Sequence, residues 1–123
     1  MKLKPGEQAS PDAIEDAEVL DESERTIRCA ACGARITYER ERITMNGSHE
    51  HEFMNPAAIR YVVQCFGSAP GCASEGERSD VWSWFPGFAW QIEVCRECLA
   101  HLGWSFHGAR SFYALVKESL ISG

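Results

Sequence analysis

Short runs of apolar and β-branched residues, separated by turn signals, predict a β domain from residue 26 onward. Order is expected to begin near Arg25, where residues 26–28 lead into the first cysteine pair, and the run at 36–38 is typical of a short strand. Two further runs, 43–45 and 49–53, flank Asn46-Gly47, which is the strongest short signal for a β-hairpin. The first half of the chain is therefore predicted to consist of short antiparallel strands.

The middle of the chain continues this pattern with one interruption. Asn55-Pro56 ends the second hairpin strand, and residues 59–66 predict the next one because they are rich in Tyr and Val. Residues 67–80 are rich in Gly and Ser and predict a long loop. In the segment 90–94, Trp, Ile and Val alternate with Gln91 and Glu93, as in a half-buried strand with its polar side chains outward.

Only the end of the chain has a helical pattern. Ser111 is a suitable N-cap, and the apolar residues after it lie on one helical stripe: Phe112, Leu115, Val116 and Leu120. The predicted fold class is therefore mostly β and antiparallel, with a short C-terminal helix.

All four tryptophans of the chain lie between residues 82 and 104. The segment 85–88, Phe-Pro-Gly-Phe, suits a type II turn, because Pro presets φ at the second position and Gly supplies φ > 0 at the third. That turn places Trp84 and Trp90 at the two ends of a reversal. Trp104 and Phe106 are two residues apart and face the same side of a strand. Tryptophans that fill a small core are the plain interpretation, and an aromatic pocket is the functional one.

The formal charge of −6 is carried by the N-terminal segment. Residues 1–24 contain eight acidic residues and two lysines, whereas the rest of the chain contains ten residues of each sign. An acidic segment with few aromatic residues is typical of a solvated, disordered tail, the alternative being a partner-binding arm. The predicted organisation is a tail at 1–24 and one folded domain at 25–123.

Charge and hydropathy exclude several classes of partner. Nucleic-acid binding is not expected, because the domain has no cluster of Lys and Arg along the sequence. A membrane partner is not expected either, because no run of ~18 apolar residues occurs. The first five residues lack the apolar stretch of a secretion signal. A cytoplasmic location with reduced thiols is therefore predicted.

Four of the six cysteines form two CxxC pairs, Cys29/Cys32 and Cys95/Cys98. Two residues between the sulfurs let one tight turn present both, and four thiolates suit a tetrahedral Zn²⁺ with no open position. We therefore predict one structural zinc ion per chain. A redox dithiol or two disulfides are the alternatives, although a redox CxxC is expected in a βαβ context, which the sequence lacks.

The remaining thiols and the histidines give weaker signals. Cys65 and Cys72 are interpreted as buried thiols, because cysteine behaves as a small hydrophobic residue, with a catalytic thiol as the alternative. His49 and His51 alternate on a predicted strand and are interpreted as surface residues rather than metal ligands, since four cysteines already suffice. No pattern of residues recommends a catalytic site.

The segment 83–90 (SWFPGFAW), the second cysteine pair and the segment 101–106 (HLGWSF) follow one another, with CxxCG and Asn55-Pro56 upstream. In these motifs the chain resembles the CULT domain, the thalidomide-binding domain of cereblon, across roughly residues 26–121. The resemblance implies a β-tent fold, in which two antiparallel sheets meet near the zinc.

The resemblance also implies a ligand site for glutarimide or a similar small, neutral cyclic imide. Trp84, Trp90 and Trp104 would be its walls, with Phe106 completing it. The backbone carbonyl of Trp82 would accept the imide N–H, and the backbone N–H of Trp84 would donate to an imide carbonyl. The full implied ligand site is Trp84, Trp90, Trp104, Phe106, Trp82, Ser83, Asn55 and Pro56.

Two departures restrict what the resemblance implies. Trp82 stands where cereblon has a histidine, so only its backbone is assigned a role. The regions through which cereblon joins a ubiquitin ligase have no counterpart in the sequence, so no ubiquitin-ligase partner is inferred. The predicted function is a non-catalytic binding module that is not an enzyme. The alternatives are a thiol enzyme resembling methionine sulfoxide reductase B, which would use Cys65 or Cys72, and a methyl-ammonium reader.

Overall fold

The computed structural model describes residues 24–122, and within this range most of the regular structure is β-strand. The predicted tail at 1–24 lies outside the described residues except for Glu24, so the predicted domain boundary stays a prediction. Among the described residues, no helix is long and apolar enough to cross a membrane.

Three short strands form a small antiparallel sheet with the spatial order β9-β1-β2. These strands are β1 (Thr26–Cys29), β2 (Arg35–Tyr38) and β9 (Leu120–Ser122). Ile27 and Thr37 are paired across β1 and β2 and are both buried. One face of this sheet therefore belongs to the core.

Six strands form the large antiparallel sheet, with the spatial order β3-β4-β8-β7-β6-β5. Its strands are β3 (Glu50–Met54), β4 (Arg60–Phe66), β5 (Cys72–Ser79), β6 (Ala89–Cys95), β7 (His101–His107) and β8 (Ser111–Val116). The predicted fold of two antiparallel sheets is thus confirmed. Short 3₁₀ turns, Glu39–Glu41 and Lys117–Ser119, complete the regular structure.

Several local predictions are confirmed at the level of single turns. Met45 and Ser48 pair across a tight turn in which Asn46 and Gly47 have φ of 52° and 84°. At the segment 85–88, the N–H of Phe88 donates to the carbonyl of Phe85 at 3.0 Å, and Gly87 has φ of 89°. The local sequence therefore determines these reversals.

The predicted C-terminal helix is wrong. Ser111–Val116 is strand β8, and Leu120–Ser122 is strand β9. β8 lies between β4 and β7, and both faces of its second half are buried. A strand buried on both faces carries a continuous run of apolar residues. Such a run also has apolar residues at helical spacing, so the pattern alone does not distinguish the two structures.

The predicted loop at 67–80 is also wrong, because Cys72–Ser79 forms strand β5. β5 is an edge strand whose middle is exposed. Its residues therefore lack the alternation that marks a half-buried strand. Pairing with β6 continues to Ser79 across an irregularity that begins at Glu75. The partner strand stabilises β5 where its own sequence favours a loop.

The two sheets meet over an apolar cluster that includes Ile27 and Ile36 of the small sheet, and their backbones come close together at Gly71. The N–H of Gly71 donates to the carbonyl of Ile36 at 2.9 Å, which joins the start of β5 to β2. A Cβ atom at position 71 would lie 2.1 Å from the carbonyl oxygen of Arg35. Only glycine allows the two backbones to approach this closely.

Replacing Gly71 by alanine is therefore expected to destabilise the domain. Because the new methyl group meets backbone rather than a flexible side chain, we expect a loss of roughly 1–3 kcal/mol or more in urea unfolding. Gly67→Ala is the matched control, since the nearest atoms to its Cβ would be at 3.5 Å. Equal stability of the two variants would contradict this account of the sheet junction.

Candidate functional site

A cavity of about 290 Å³ opens on one face of the large sheet. Its lining consists of Asn55, Pro56, Trp82, Trp84, Trp90, Ile92, Trp104 and Phe106. The structure thus brings together seven of the eight residues of the ligand site that the resemblance implies. Ser83 lines a second depression instead, and its hydroxyl donates to the carbonyl of Phe85 at 3.0 Å.

Two neighbouring strands carry one wall of the cavity. Trp90 pairs with Phe106, and Ile92 pairs with Trp104, in the antiparallel register of β6 and β7. Paired residues point to the same face of a sheet, so these four side chains form one continuous apolar surface. Ile92 was not among the predicted site residues, although its alternation with Trp90 was a signal that could have found it.

Trp84 forms a second wall of the cavity, which meets the first at Trp104. Its ring lies 4.7 Å from that of Trp104, with an interplanar angle of 73°. Behind it, Phe53 of β3 stacks on Trp84 at 4.9 Å, and Tyr61 of β4 lies edge-on to Trp104 at 5.0 Å. Sequence reasoning missed Phe53 and Tyr61, because nothing local indicates that β3 and β4 reach the tryptophan segment.

Hydrogen bonds to backbone carbonyls fix two of the indoles. Nε1 of Trp84 donates to the carbonyl of Met54 at 3.1 Å, and Nε1 of Trp90 donates to the carbonyl of Val81 at 2.7 Å. Both N–H groups are therefore satisfied, and both rings are held in place before any ligand arrives. Asn55 is also engaged, since its Oδ1 accepts from the N–H groups of Ala57 and Ile59 at 3.0 and 2.9 Å.

Trp82 occupies a strained position at the mouth of the cavity. Its φ is 60°, in the left-handed region that large side chains rarely adopt, and the residue is 74% exposed. Such a conformation costs on the order of 1–3 kcal/mol and persists only where its surroundings fix it. Two hydrogen bonds hold the segment on either side of Trp82. The carbonyl of Val81 accepts from the indole N–H of Trp90, and the indole N–H of Trp84 donates to the carbonyl of Met54.

A buried carboxylate supports the β6–β7 wall from its reverse face. Glu93 is 1% exposed, whereas its alternation with apolar residues predicted an outward position. Its Oε2 accepts from the hydroxyls of Ser74 and Ser105 at 2.6 and 2.7 Å, which joins β5, β6 and β7. Ser105 in turn contacts Nε2 of His107 at 2.9 Å. These bonds satisfy a group that would be costly to bury alone.

The two cysteine pairs come together at the other end of the large sheet. The four Sγ atoms of Cys29, Cys32, Cys95 and Cys98 lie within 4.8 Å of one another. Cys29 and Cys98 are separated by 3.8 Å between sulfurs, and Cys32 and Cys95 by 3.6 Å. A tetrahedral Zn²⁺ with bonds of about 2.3 Å requires sulfurs about 3.8 Å apart. The cluster therefore fits zinc in both ligand type and spacing.

The two CxxC turns have the same backbone geometry. The N–H of Gly33 donates to the carbonyl of Cys29, and the N–H of Leu99 donates to the carbonyl of Cys95, both at 2.8 Å. The residue after each second cysteine lies in the left-handed region, with φ of 80° at Gly33 and 67° at Leu99. Glycine adopts this conformation without steric cost, whereas the exposed leucine adopts it against its preference.

The spare thiols are not suited to nucleophilic chemistry. Cys65 and Cys72 are both buried. Burial raises the pKa of the Cys65 thiol to about 11, and burial together with the nearby Glu93 raises the pKa of the Cys72 thiol to about 12. A reactive thiol needs the opposite shift. His49 and His51 lie outside the cysteine cluster.

Loss of zinc is expected to unfold the domain, because metal binding contributes to the folding free energy. We expect one zinc per chain, and a strong chelator should lower the melting temperature. Cys32→Ser should abolish stoichiometric zinc, whereas Cys65→Ser should retain it, since Cys65 lies outside the cluster. The zinc assignment would be contradicted if the wild-type chain is purified without metal and its melting temperature does not change when the chelator is added.

Removing the Glu93 carboxylate is expected to destabilise the domain as well. Glu93→Leu removes the acceptor of the Ser74 hydroxyl and leaves Ser105 with His107 alone, which costs about 1–3 kcal/mol in urea unfolding. Glu93→Gln keeps one acceptor oxygen and should lose less. The exposed Glu97→Gln is the control. The network has no structural role if Glu93→Leu unfolds at the wild-type urea concentration.

Comparison with known proteins connects this arrangement to one group of relatives. No family model matches the chain. The chain is 38% identical over 52 residues to protein cereblon of Danio rerio, covering 37% of this chain and 12% of the relative. It is 43% identical over 51 residues to protein cereblon of Xenopus tropicalis, covering 37% and 11%.

A longer but weaker match extends over most of the chain. Protein cereblon of Drosophila pseudoobscura pseudoobscura is 28% identical over 106 residues, covering 77% of this chain and 17% of the relative. The chain thus corresponds to less than a fifth of the length of these curated relatives. Together with the two antiparallel sheets, the cysteine cluster and the tryptophan cavity, these matches support a cereblon-like domain of the CULT type in this chain.

Proposed function

We propose that this domain is a non-catalytic binding module that holds a small, neutral cyclic imide of the glutarimide type in the tryptophan cavity. The observation that carries the proposal is the pair of indoles, Trp84 and Trp90, whose N–H groups are already bonded to backbone carbonyls. Their rings therefore offer only apolar surface to a ligand. A fixed apolar cage favours a compact ring with apolar methylenes.

The backbone at the mouth of the cavity supports recognition of a polar edge. No hydrogen bond between described residues uses the carbonyl of Trp82 or the N–H of Trp84. An imide carries an N–H between two carbonyls, so it can donate to the first group and accept from the second. Trp82, whose strained φ persists only where its surroundings hold it, belongs to the same segment.

Affinity is expected to be moderate. Glutarimide has about eight heavy atoms, so only a few contacts contribute to its binding, and a micromolar dissociation constant is the reasonable expectation. The cavity of about 290 Å³ is at the small end for a ligand site, in keeping with a single ring.

Neither alternative function gains a supporting observation. A thiol enzyme would use Cys65 or Cys72, and both are buried with raised pKa values. A methyl-ammonium reader usually adds a carboxylate to its aromatic cage. The acidic residue nearest the tryptophans in the sequence of β6 is Glu93. Its carboxylate is buried on the reverse face of the β6–β7 wall, where it accepts from the hydroxyls of Ser74 and Ser105.

Titration calorimetry of the zinc-loaded chain with glutarimide tests the proposal. Trp84→Ala and Trp104→Ala should each weaken binding by at least about 30-fold, because aromatic residues at the centre of a pocket contribute about 2 kcal/mol or more. Trp82→Ala is the matched control and should lose much less, since that residue is 74% exposed. Zinc content should be unchanged in all three variants.

The polar edge is tested separately with N-methylglutarimide. Methylation removes the only donor of the ring and adds bulk at that edge, so binding should fall below detection. Equal binding of both compounds would contradict the proposed hydrogen bond from the imide N–H to the carbonyl of Trp82, but it would not contradict binding in the apolar cage. No heat with glutarimide at millimolar concentration would overturn the ligand class.

A further inference from the structure

The small sheet has an outer face that carries arginines, and this face is distinct from the tryptophan cavity. β1 alternates between buried Ile27 and Cys29 and the half-buried Thr26 and Arg28, so Arg28 points away from the core. In the neighbouring strands the residues paired with Arg28 are Arg35 and Ile121, and both are exposed. We call this surface the arginine face: Arg28, Arg35, Tyr38, Arg40 and Ile121.

The arginine face places like charges directly opposite each other. Arg28 and Arg35 are cross-strand partners of β1 and β2, just beyond an irregularity of the register between Ile27 and Arg28. Like charges in this position destabilise a sheet. Arg28 is also held in place, because its Nη1 donates to the carbonyl of Gly33 at 3.0 Å.

A third arginine extends the positive surface along the sheet. The guanidinium of Arg40 lies 4.3 Å from the centre of the Tyr38 ring. Arg40 also approaches Glu41 at 4.0 Å, but both side chains are substantially exposed, so this pair contributes little. No salt bridge between described residues includes Arg28 or Arg35. The fold thus gathers arginines that are scattered along the sequence into one patch.

The same chain carries a segment of opposite charge shortly before β1 in the sequence. Residues 1–23 contain two lysines and seven acidic residues: Glu7, Asp12, Glu15, Asp16, Glu18, Asp21 and Glu22. The described residues begin at Glu24, four residues before Arg28 and two before the start of β1. An extended chain spans about 3.3–3.6 Å per residue, so its last few acidic residues can reach across a three-stranded sheet.

We propose that the acidic segment 1–23 docks in cis on the arginine face of the small sheet. Charge complementarity and the short connection at Glu24 both favour this occupant over a second molecule. A short tether gives the segment an effective concentration in the millimolar range, which favours even weak attraction between exposed charges. Docking offsets the repulsion between Arg28 and Arg35 and covers Ile121. It is independent of the ligand proposed for the cavity.

A thermodynamic cycle in the full, zinc-loaded chain tests this proposal through the difference between two stability changes. One background has the native N-terminal segment, and the other has its seven acidic residues replaced by Asn and Gln. Arg28→Gln with Arg35→Gln should lower the melting temperature in the native background, because it removes the docking partner. In the neutral background the same pair should lower it less, because the hydrogen bond from Arg28 to Gly33 is lost in both backgrounds whereas the docking partner is lost only in the native one.

Arg78→Gln with Arg110→Gln is the matched control, since these arginines lie outside β1, β2 and β9. It should change the melting temperature equally in both backgrounds. The zinc content of every variant is measured. If the double variant loses metal, the single variant Arg35→Gln replaces it in the cycle. The proposal is overturned if the Arg28/Arg35 pair has the same effect in both backgrounds.

Amide chemical shifts locate the contact and distinguish the occupant. Neutralising the acidic segment should shift resonances in 26–28, 35–40 and 120–122, and 1 M NaCl should produce the same shifts because it screens exposed charges. These shifts should not depend on protein concentration. Shifts that grow with concentration would show a second copy as the occupant, and shifts confined to other surfaces would show no docking here. Either result overturns the proposal.

Discussion

The clustering of four cysteines is the constraint on which the rest of the structure depends. One pair closes the turn after β1, and the other closes the turn after β6, so a metal held between them joins the small sheet to the large one. The sulfur atoms are spaced as a tetrahedral zinc ion requires. Both turns place a left-handed residue after the second cysteine, and Leu99 tolerates this only because the cluster requires it.

The tryptophan cavity depends on this junction through the strands that leave it. β6 ends at Cys95 and β7 begins at His101, so the second cysteine turn connects the two strands whose paired residues form the cavity wall. Glu93 reinforces the same wall from the reverse face by bonding serines on both neighbouring strands. The second wall is fixed separately, because Phe53 stacks on Trp84 and the carbonyl of Met54 accepts from the Trp84 indole N–H. The cavity thus has one wall on the strands that the second cysteine turn connects and another that aromatic packing holds.

Local features were predictable wherever a residue type allows only one conformation. The Asn46-Gly47 turn and the Pro-Gly turn follow from the backbone preferences of their own residues. Burial depends on neighbours, and predictions about it were less successful. Glu93 appeared to be an outward residue of an alternating strand, but the adjoining serines supply the hydrogen bonds that permit its burial. Phe53 and Tyr61 gave no signal because β3 and β4 reach the tryptophans only through long-range pairing.

The sequence alone determined the cysteine cluster, the tryptophan segment and the separation of negative charge into the first residues, because these depend on residue type and spacing. Only the tertiary structure decided that Ser111–Val116 is a central strand and Cys72–Ser79 an edge strand. In both segments, pairing with neighbouring strands outweighs local preference, since backbone hydrogen bonds and burial are supplied by residues distant in sequence. The arginine face belongs to the same class. Its arginines are scattered along the chain, and the register of β1 and β2 brings Arg28 and Arg35 together.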